Sequence, residues 1–256
     1  MHRIYTLIML FMVLAASSLM AVTADSTTWE GSYEATDIPS NDGWAAVGTV
    51  EYFSIAQDGV LNMDSYDDNA IGYWQKDGVG FNFNAGMTIE FRAKMNAYQD
   101  GGSSVIQFYD VNASLIGITL RNNRISLTNS TTEYLDPNDF HTYRFTVNPV
   151  SQAVVCWLDG ATEPFMSGRI AYRNMTTSDI LMFGDLTVTA DADWDIDYIR
   201  WTNEGDFPPV GVVSYCGDSN NLIPLGDLNF DCMVDISDFA VIANMWLLDT
   251  RPVEAE

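Results

Sequence analysis

The stretch Met87-Thr-Ile-Glu-Phe-Arg-Ala-Lys-Met95 alternates apolar and polar side chains along its whole length. Successive side chains of a β-strand point to opposite faces, so the apolar residues of this stretch share one face. Thr88, Glu90, Arg92 and Lys94 then lie on the other face. This pattern predicts a strand with one buried and one solvated side, as in an antiparallel sheet.

Similar strand patterns extend over most of the chain on both sides of this stretch. His141–Val147 repeats the alternation, and other short runs rich in β-branched and aromatic residues are separated by Asn, Asp, Gly and Pro. No helical period of useful length interrupts them before residue 205. The sequence therefore predicts an all-β domain of antiparallel strands, folded as a sandwich or barrel. The other predicted strands are 104–109, 115–120, 124–127, 153–158, 180–183 and 194–201.

The charge balance restricts the kinds of partner that this protein can have. Its 256 residues include 35 acidic and 11 basic side chains, for a net charge of −24. Such a charge opposes binding to nucleic acid and to anionic membranes, and it favours cations and neutral or basic partners. The 47% apolar and 12% aromatic content is that of a folded chain.

The N-terminus carries the pattern of a secretory signal peptide. His2 and Arg3 precede an apolar run over residues 4–16, and Val22-Thr-Ala24 offers small residues at a cleavage site. We therefore expect residues 1–24 to be removed and the protein to be secreted, either extracellular or at the cell surface. No later apolar stretch is long enough to predict a membrane span.

Near the C-terminus, a twelve-residue window from Asp227 to Asp238 places oxygen-bearing side chains at positions 1, 3, 5, 9 and 12. This spacing is typical of a loop that wraps Ca²⁺, with a backbone carbonyl at position 7. The alternative is a solvated acidic turn. Apolar residues at helical spacing follow the loop and predict an amphipathic helix to about Leu248. The predicted calcium ligands are Asp227, Asn229, Asp231, Met233 (backbone), Asp235 and Asp238.

Three cysteines leave one unpaired in an exported chain. Cys216 and Cys232 bracket the start of the predicted calcium loop, and a disulfide between them would contribute roughly 3 kcal/mol in the chain-entropy model. Cys156 lies inside a strand pattern and is expected to be a small buried apolar residue. A nucleophilic role for it would need a nearby base.

The C-terminal segment resembles one calcium-binding repeat of a dockerin, of the type found on secreted proteins of planctomycete-like bacteria. The resemblance covers residues 215–250, and residues 206–214 would form a proline-containing linker. It implies an EF-hand-like module that binds Ca²⁺ through the six residues named above, and a protein partner for this tail. Dockerins usually carry two repeats, whereas only one is found here. Cys232 also replaces the glycine of position 6.

Five strand phrases resemble the concanavalin A-like lectin/glucanase superfamily, in its laminin-G-like branch. The resemblance spans residues 28–205 and implies a two-sheet antiparallel jelly roll. It implies function less narrowly, because the superfamily includes lectins, adhesion modules and glycosidases. The phrases are 87–92, 140–147, 155–160, 183–185 and 194–201.

The sequence does not supply a recognisable hydrolytic pair. The Glu-x-Asp-x-x-Glu string of laminarinase-type enzymes is missing, and we assign no catalytic residue. The nearest pattern is Asp193-Trp-Asp195-Ile-Asp197, which places three carboxylates on one face of a strand. These residues can form a solvated edge, a cation or sugar site, or a catalytic group. Glu90 is expected to pair with Arg92 or with a neighbouring strand.

Sugar recognition usually combines aromatic platforms with polar side chains that bind hydroxyls. Trp44 and Trp74 lie in polar, turn-rich surroundings and are therefore the preferred exposed platforms, with Tyr66 nearby. Trp157 and Trp201 lie in strong strand patterns and are expected in the core. The candidate ligand-binding residues are Trp44, Trp74, Tyr66, Asp193 and Asp195.

These observations predict a secreted, non-catalytic β-sandwich that binds a polysaccharide, another glycan or an extracellular surface, with a calcium-stabilised tail. Two alternatives stay open. One is a glycoside hydrolase or lyase with an unrecognised active site. The other is an extracellular structural or assembly protein that is tethered by its tail.

Overall fold

The computed structural model describes residues 27–65, 71–98, 104–121, 123–128, 132–136, 138–172, 179–186 and 192–210. Within these ranges the chain forms sixteen strands and three short 3₁₀ helices, the latter at Pro39–Asp42, Val50–Tyr52 and Phe83–Ala85. The strands are β1 (Gly31–Tyr33), β2 (Ala45–Gly48), β3 (Ser54–Gln57), β4 (Val60–Asp64), β5 (Gly72–Asp77), β6 (Met87–Tyr98), β7 (Ser104–Tyr109), β8 (Ser114–Arg121), β9 (Arg124–Leu127), β10 (Thr132–Tyr134), β11 (His141–Val147), β12 (Ala153–Leu158), β13 (Met166–Arg169), β14 (Ala171–Tyr172), β15 (Ile180–Asp185) and β16 (Ala192–Thr202).

The strands form two antiparallel sheets. The first sheet has the order β13-β12-β11-β6-β16-β4-β3, and β1 pairs with the C-terminal part of β16. The second sheet has the order β10-β9-β8-β7-β15-β5-β2, and β14 pairs with β8. Every strand pair within these sheets is antiparallel, which confirms the predicted all-β, two-sheet antiparallel sandwich.

The hydrophobic core lies between the two sheets. The first sheet contributes Phe91 of β6 and Phe145 of β11, whose rings stack 5.9 Å apart. The second sheet contributes Phe108 of β7 and Phe183 of β15, and both are fully buried. Because β6 alternates as its sequence predicts, its apolar residues enter this core and its polar residues face outward.

Strand β16 of the first sheet is irregular at two points. Its pairing with β6 shifts register between Asp193 and Trp194 and again between Ile196 and Tyr198. Such β-bulges bend a strand and redirect its side chains. The second shift leaves Asp197 without a directly opposed residue on β6, beside Tyr198, which pairs with Arg92.

Several predictions fall outside the described residues. They are the signal peptide 1–24, Tyr66, the linker beyond residue 210, and the module over 215–250 with its calcium ligands, helix and the Cys216–Cys232 pair. Within the described residues, no helix has the length and apolar character needed to cross a membrane.

Candidate functional site

The outward side of the first sheet carries an array of charged, amide and hydroxyl side chains, which we call the polar face. Its members come from the adjacent strands β11, β6, β16 and β4, so backbone pairing fixes their relative positions. The polar face consists of Asn62, Glu90, Arg92, Lys94, Thr142, Arg144, Asp193, Asp195, Asp197, Tyr198 and Arg200.

Glu90 is the centre of the polar face. It lies directly opposite Arg144 on one side and Arg200 on the other, because β6 pairs with both β11 and β16. Arg144 Nε donates to Glu90 Oε2 at 2.6 Å, and Arg200 Nε and the Tyr198 hydroxyl donate to Oε1 at 3.0 and 2.9 Å. Glu90 and Arg144 are only 4% and 5% exposed, so this is a buried ion pair whose carboxylate is held on both oxygens. Glu90 thus pairs with two neighbouring strands, one of the two outcomes predicted for it, rather than with Arg92.

Two aromatic rings cover the cations of the polar face. Trp29 precedes β1, and its ring centroid lies 4.6 Å from the guanidinium carbon of Arg200 and 5.4 Å from that of Arg144. Phe140 precedes β11, and its ring lies 4.5 Å from the guanidinium carbon of Arg92 and 5.2 Å from Lys94 Nζ. Such cation–π contacts hold the long basic side chains flat against the sheet. Trp29 and Phe140 are both partly exposed.

The three aspartates of β16 all lie on this side of the sheet, and each has a partner. Asp193 and Asp195 both accept from the Asn62 amide, at 2.7 and 2.8 Å. Lys94 forms an ion pair with Asp195 at 3.1 Å, and Arg92 forms one with Asp197. Each of these three carboxylates is therefore bound by a cation or an amide of a neighbouring strand.

A groove of about 370 Å³ opens at one end of the polar face. Glu90, Thr142 and Arg144 line it from the sheet, and the turn residues Asp159 and Gly160 contribute one side. Pro209 and Val210 complete the lining with apolar side chains. Buried charge, a hydroxyl and an apolar rim thus converge on one concave surface.

The Pro-containing side of the groove belongs to the segment predicted to be a linker. Phe207 N donates to Thr88 Oγ1 at 2.8 Å, and Asn148 Nδ2 donates to Asp206 Oδ2 at 3.0 Å. Arg144 Nη1 lies 3.5 Å from the carbonyl oxygens of Phe207 and Pro208. Residues 206–210 are therefore fastened to the sheet and form part of the groove.

Asp159 is held in place by the strand beside it. Its Oδ1 accepts from the Thr142 backbone N–H at 2.8 Å, and its Oδ2 lies 2.7 Å from His141 Nδ1. The other ring nitrogen of His141 lies 2.9 Å from the Asp136 carbonyl oxygen. Both oxygens of this carboxylate are thus engaged, like those of Glu90.

The expectation that Trp44 and Trp74 are exposed is wrong. Trp44 is 3% exposed and packs edge-on against Phe183, with ring centroids 5.0 Å apart. Trp74 is completely buried, and its indole N–H donates to Ser54 Oγ at 3.1 Å. Trp44 follows a turn, and the polar neighbours of Trp74 belong to its own strand β5, whereas both indoles are buried. Neither ring is available as a platform for a sugar.

The structure confirms the predicted core positions of Trp201 and Cys156, and it buries Trp157 outside the core cluster. Trp201 and Cys156 lie in the core between the sheets, and burial raises the pKa of the Cys156 thiol well above its usual value. A thiol in this state is a poor nucleophile. Trp157 is also buried, but it lies outside the core cluster and lines a small surface pocket together with Pro164 and Pro208.

Sequence reasoning missed Trp29, Phe140, Tyr198 and Arg144 as site residues. Arg144 and Tyr198 had a usable signal, since both lie in strands whose alternation places them outward with Glu90. Trp29 and Phe140 lie just before strands, and only the pairing of those strands brings them over the cations.

The outward side of the second sheet is different. Tyr109, Leu115, Ala171 and Met182 form a small buried apolar cluster there, against which Tyr73, Ile180 and Leu186 pack. Strand β14 contributes to it by pairing with β8. In the part of the chain that the structure describes, no group of three or more His, Cys, Asp or Glu side chains is placed to hold a metal ion.

Comparison with known proteins supports the fold. The sequence matches no protein-family model and no curated protein. Its structure is similar to that of a carbohydrate esterase from the Shiga toxin-encoding bacteriophage phi24B, with 16% identity, 68% of this chain and 97% of that chain covered, and a TM-score of 0.51. At this identity the similarity shows a shared fold and not a shared activity.

Two further similarities have lower scores. A glycosyl hydrolase family protein from Mycobacterium fortuitum matches with 14% identity over 69% of this chain and 100% of that chain, with a TM-score of 0.48. Lectin I-B4 from Griffonia simplicifolia matches with 9% identity over 67% of this chain and 98% of that chain, with a TM-score of 0.44.

Proposed function

We propose that this protein is a non-catalytic carbohydrate-binding module, and that the groove on the polar face receives the glycan. The observation that carries the proposal is the groove itself, which is lined by the buried Glu90–Arg144 pair. The partly exposed ring of Trp29 lies over Arg144, one of these lining residues. Sugars present apolar C–H faces and a rim of hydroxyls, so they are recognised by this combination of groups. The resemblance of its strand phrases to concanavalin A-like proteins supports the same proposal.

The groove is preorganised for hydroxyl groups. Glu90, Arg144 and Asp159 are already held by neighbouring groups, so ligand binding does not have to order them. The Thr142 hydroxyl can both donate and accept, and Pro209 and Val210 provide apolar surface at the rim. A neutral glycan satisfies these groups without bringing a further negative charge to a protein of net charge −24.

Hydrolysis is the competing function, because two carboxylates, those of Glu90 and Asp159, line the same groove. A glycosidase needs one carboxylic acid that gives its proton to the leaving group and a second carboxylate that attacks or activates water. Here both oxygens of each residue are engaged by arginine, tyrosine, histidine or backbone donors. This arrangement favours binding over turnover.

A single experiment separates the two functions. The protein is incubated with laminarin, xylan, galactomannan and polygalacturonate, and both retention in an affinity gel and new reducing ends are measured. Binding to at least one neutral polysaccharide without new reducing ends is expected. New reducing ends that disappear in Asp159→Asn would show an enzyme, and no binding to any of the four would contradict the proposal.

A matched pair of variants places the binding site. Thr142→Val keeps the shape of the side chain and removes the hydroxyl that lines the groove, so we expect polysaccharide binding about tenfold weaker. Val111 is exposed, lies in the turn between β7 and β8, and does not line the groove. Val111→Thr makes the reverse exchange of methyl and hydroxyl at this site and is therefore the control. Equal loss in both variants would count against the groove.

We further propose that the C-terminal tail binds Ca²⁺ as a dockerin-like module. The residues lie outside the described part of the chain, and the support comes from the chemistry of the donor set. Carboxylate and amide oxygens at Asp227, Asn229, Asp231, Asp235 and Asp238, with the Met233 carbonyl, suit a hard cation. Calorimetric titration of the full chain with Ca²⁺ should show one site that Asp227→Ala removes.

The export and the disulfide are proposals of the same kind. An N-terminal sequence of protein recovered from the growth medium that begins after Ala24 would support secretion. A mass spectrum with a Cys216–Cys232 cross-linked peptide, and an unmodified Cys156 thiol, would support the predicted pairing. A protein retained in the cell with three free thiols would contradict both.

A further inference from the structure

A second cleft lies at the end of the sandwich, away from the polar face. It has a volume of about 570 Å³ and lies between residues 30–32 at the start of β1 and residues 76–80 at the end of β5, with Trp201 and Asn203 from the end of β16. This volume falls in the range of small-molecule binding sites. Its lining residues come from both sheets, and none of them lines the groove.

Glycines keep this cleft open. A Cβ on Gly31 would lie 2.2 Å from the Trp201 ring, so only glycine lets β1 cross that indole at this distance. Gly78 and Gly80 line the other side with φ angles of +67° and +79°, which L side chains rarely adopt. Backbone rather than side chains therefore forms much of the lining.

Lys76 gives the cleft a cation whose charge is not neutralised nearby. Its Nζ donates to the Asp42 carbonyl oxygen at 2.8 Å and lies 5.5 Å from the Trp44 ring centroid. No carboxylate of the described residues lies within ion-pair distance of it, whereas Arg92, Lys94, Arg144 and Arg200 all have such partners. Two of its N–H donors can thus serve a ligand.

Acceptors line the same cleft. Glu30 Oε2 accepts from the Asn203 backbone N–H at 2.7 Å, and Asn203 Nδ2 donates to the Val79 carbonyl at 2.9 Å. These bonds fix the amide, and its Oδ1 is left buried without a hydrogen-bond partner among the described residues. An unsatisfied buried acceptor is costly, and a fixed water would relieve that cost.

From these groups we infer that the cleft is a second carbohydrate subsite, which takes one neutral sugar ring. A hydroxyl group both donates and accepts, so a polyhydroxylated ring satisfies Lys76 and Glu30 together. An anion would meet the carboxylate of Glu30. A cation would meet Lys76. The inference does not rest on the groove, because it uses different residues.

The test is an NMR titration of the full chain with the methyl glycosides of glucose, galactose, mannose and N-acetylglucosamine, each to millimolar concentrations. The amide signals of Gly78, Gly80 and Asn203 are the reporters. At least one glycoside is expected to shift them in a saturable way, with an affinity that does not change between low and high salt. No shift with any of the four would overturn the inference.

Variants and ions sharpen the result. Lys76→Met keeps the apolar stem over Trp44 and removes the charge, so glycoside affinity should fall about tenfold while the melting temperature stays within a few degrees. Thr142→Val, whose side chain does not line the cleft, should leave the glycoside affinity unchanged. Equal shifts in Lys76→Met, or shifts with sodium acetate in place of every glycoside, would show that the cleft is not a neutral-sugar subsite. If no glycoside binds in the cleft while polysaccharide binding is intact, the second subsite is excluded and the proposed function of the groove is unaffected.

Discussion

The outward faces of the two sheets differ although their strands follow the same inside–outside alternation. On the first sheet, the outward residues are charged, paired across strands and partly covered by Trp29 and Phe140. On the second sheet they include an apolar cluster of Tyr109, Leu115 and Met182, which is buried beneath the chain itself. The second sheet therefore buries apolar side chains on part of its outward side, whereas the first sheet carries paired charges there. In the proposed function the first face binds the glycan and the apolar cluster contributes to stability.

The largest effect is expected from Glu90→Gln, which removes the charge between two guanidinium groups. Arg144 then stays buried without its carboxylate, and breaking a buried pair in this way costs about 3 kcal/mol of unfolding free energy. Urea denaturation measures this cost. The matched control is Arg92→Gln, whose ion pair with Asp197 is more than 30% exposed on both sides and should cost less than about 1 kcal/mol. Equal losses would mean that Glu90 is not the centre of the polar face.

The next effect separates stability from binding. Leu115→Ala removes apolar contacts from the cluster on the second sheet and should lower the unfolding free energy by about 2 kcal/mol. Polysaccharide affinity at a temperature where the variant is folded should equal that of the unchanged protein. A parallel loss of affinity would break the division of roles between the two faces.

Trp29→Ala should weaken glycan binding and have little effect on stability, which is the reverse of the effects expected for Leu115→Ala. The loss of two cation–π contacts at a partly exposed site costs about 1 kcal/mol of stability or less, whereas loss of the aromatic surface beside the groove should weaken glycan binding about tenfold. Calorimetry of the two proteins against the best polysaccharide gives the affinities. Trp29→Phe, which keeps a ring, should recover part of the loss. An unchanged affinity in Trp29→Ala would exclude this ring from the site.

The smallest effect is a pH dependence. Partial burial, and next the charge of Glu90, raise the pKa of Tyr198 to about 12. Below pH 10 the phenol is protonated in both the folded and the unfolded chain, so its contribution to stability is fully present. As the pH rises from 10 to about 12 the unfolded chain ionises first, and this contribution is lost. Tyr198→Phe should therefore lose less stability than the unchanged protein across this window, as measured by urea denaturation. Parallel curves would contradict a raised pKa of Tyr198 in the folded chain.

The sequence predicted the fold well because alternation is a local property. The residues of β6 and β11 face as their patterns predict, and the outward position of Glu90 follows from its own strand. The ion-pair partners of Glu90 could not be predicted in this way, because the choice between Arg92 and a neighbouring strand depends on the register between strands. The bulge at Asp197, which brings that carboxylate to Arg92, has no local sequence signal.

The aromatic platforms were predicted wrongly for a physical reason. The polar neighbours of Trp44 form a turn and those of Trp74 belong to strand β5, so they do not report the burial of the two rings. That burial depends on Tyr33, Phe183 and Ser54 from other segments. The groove was missed because one side of it is a segment that reads as a linker. Residues 206–210 become part of the site only through hydrogen bonds to Thr88 and Asn148.

Amide chemical shifts on the full chain locate the bound polysaccharide and so test whether the groove receives it. The neutral polysaccharide that binds best in the affinity gel is titrated, and the two outward faces are compared. We expect saturable shifts at Thr142, Gly160 and Val210 of the groove, and none at Leu115 and Met182 of the covered cluster. Shifts confined to the second sheet would contradict this expectation.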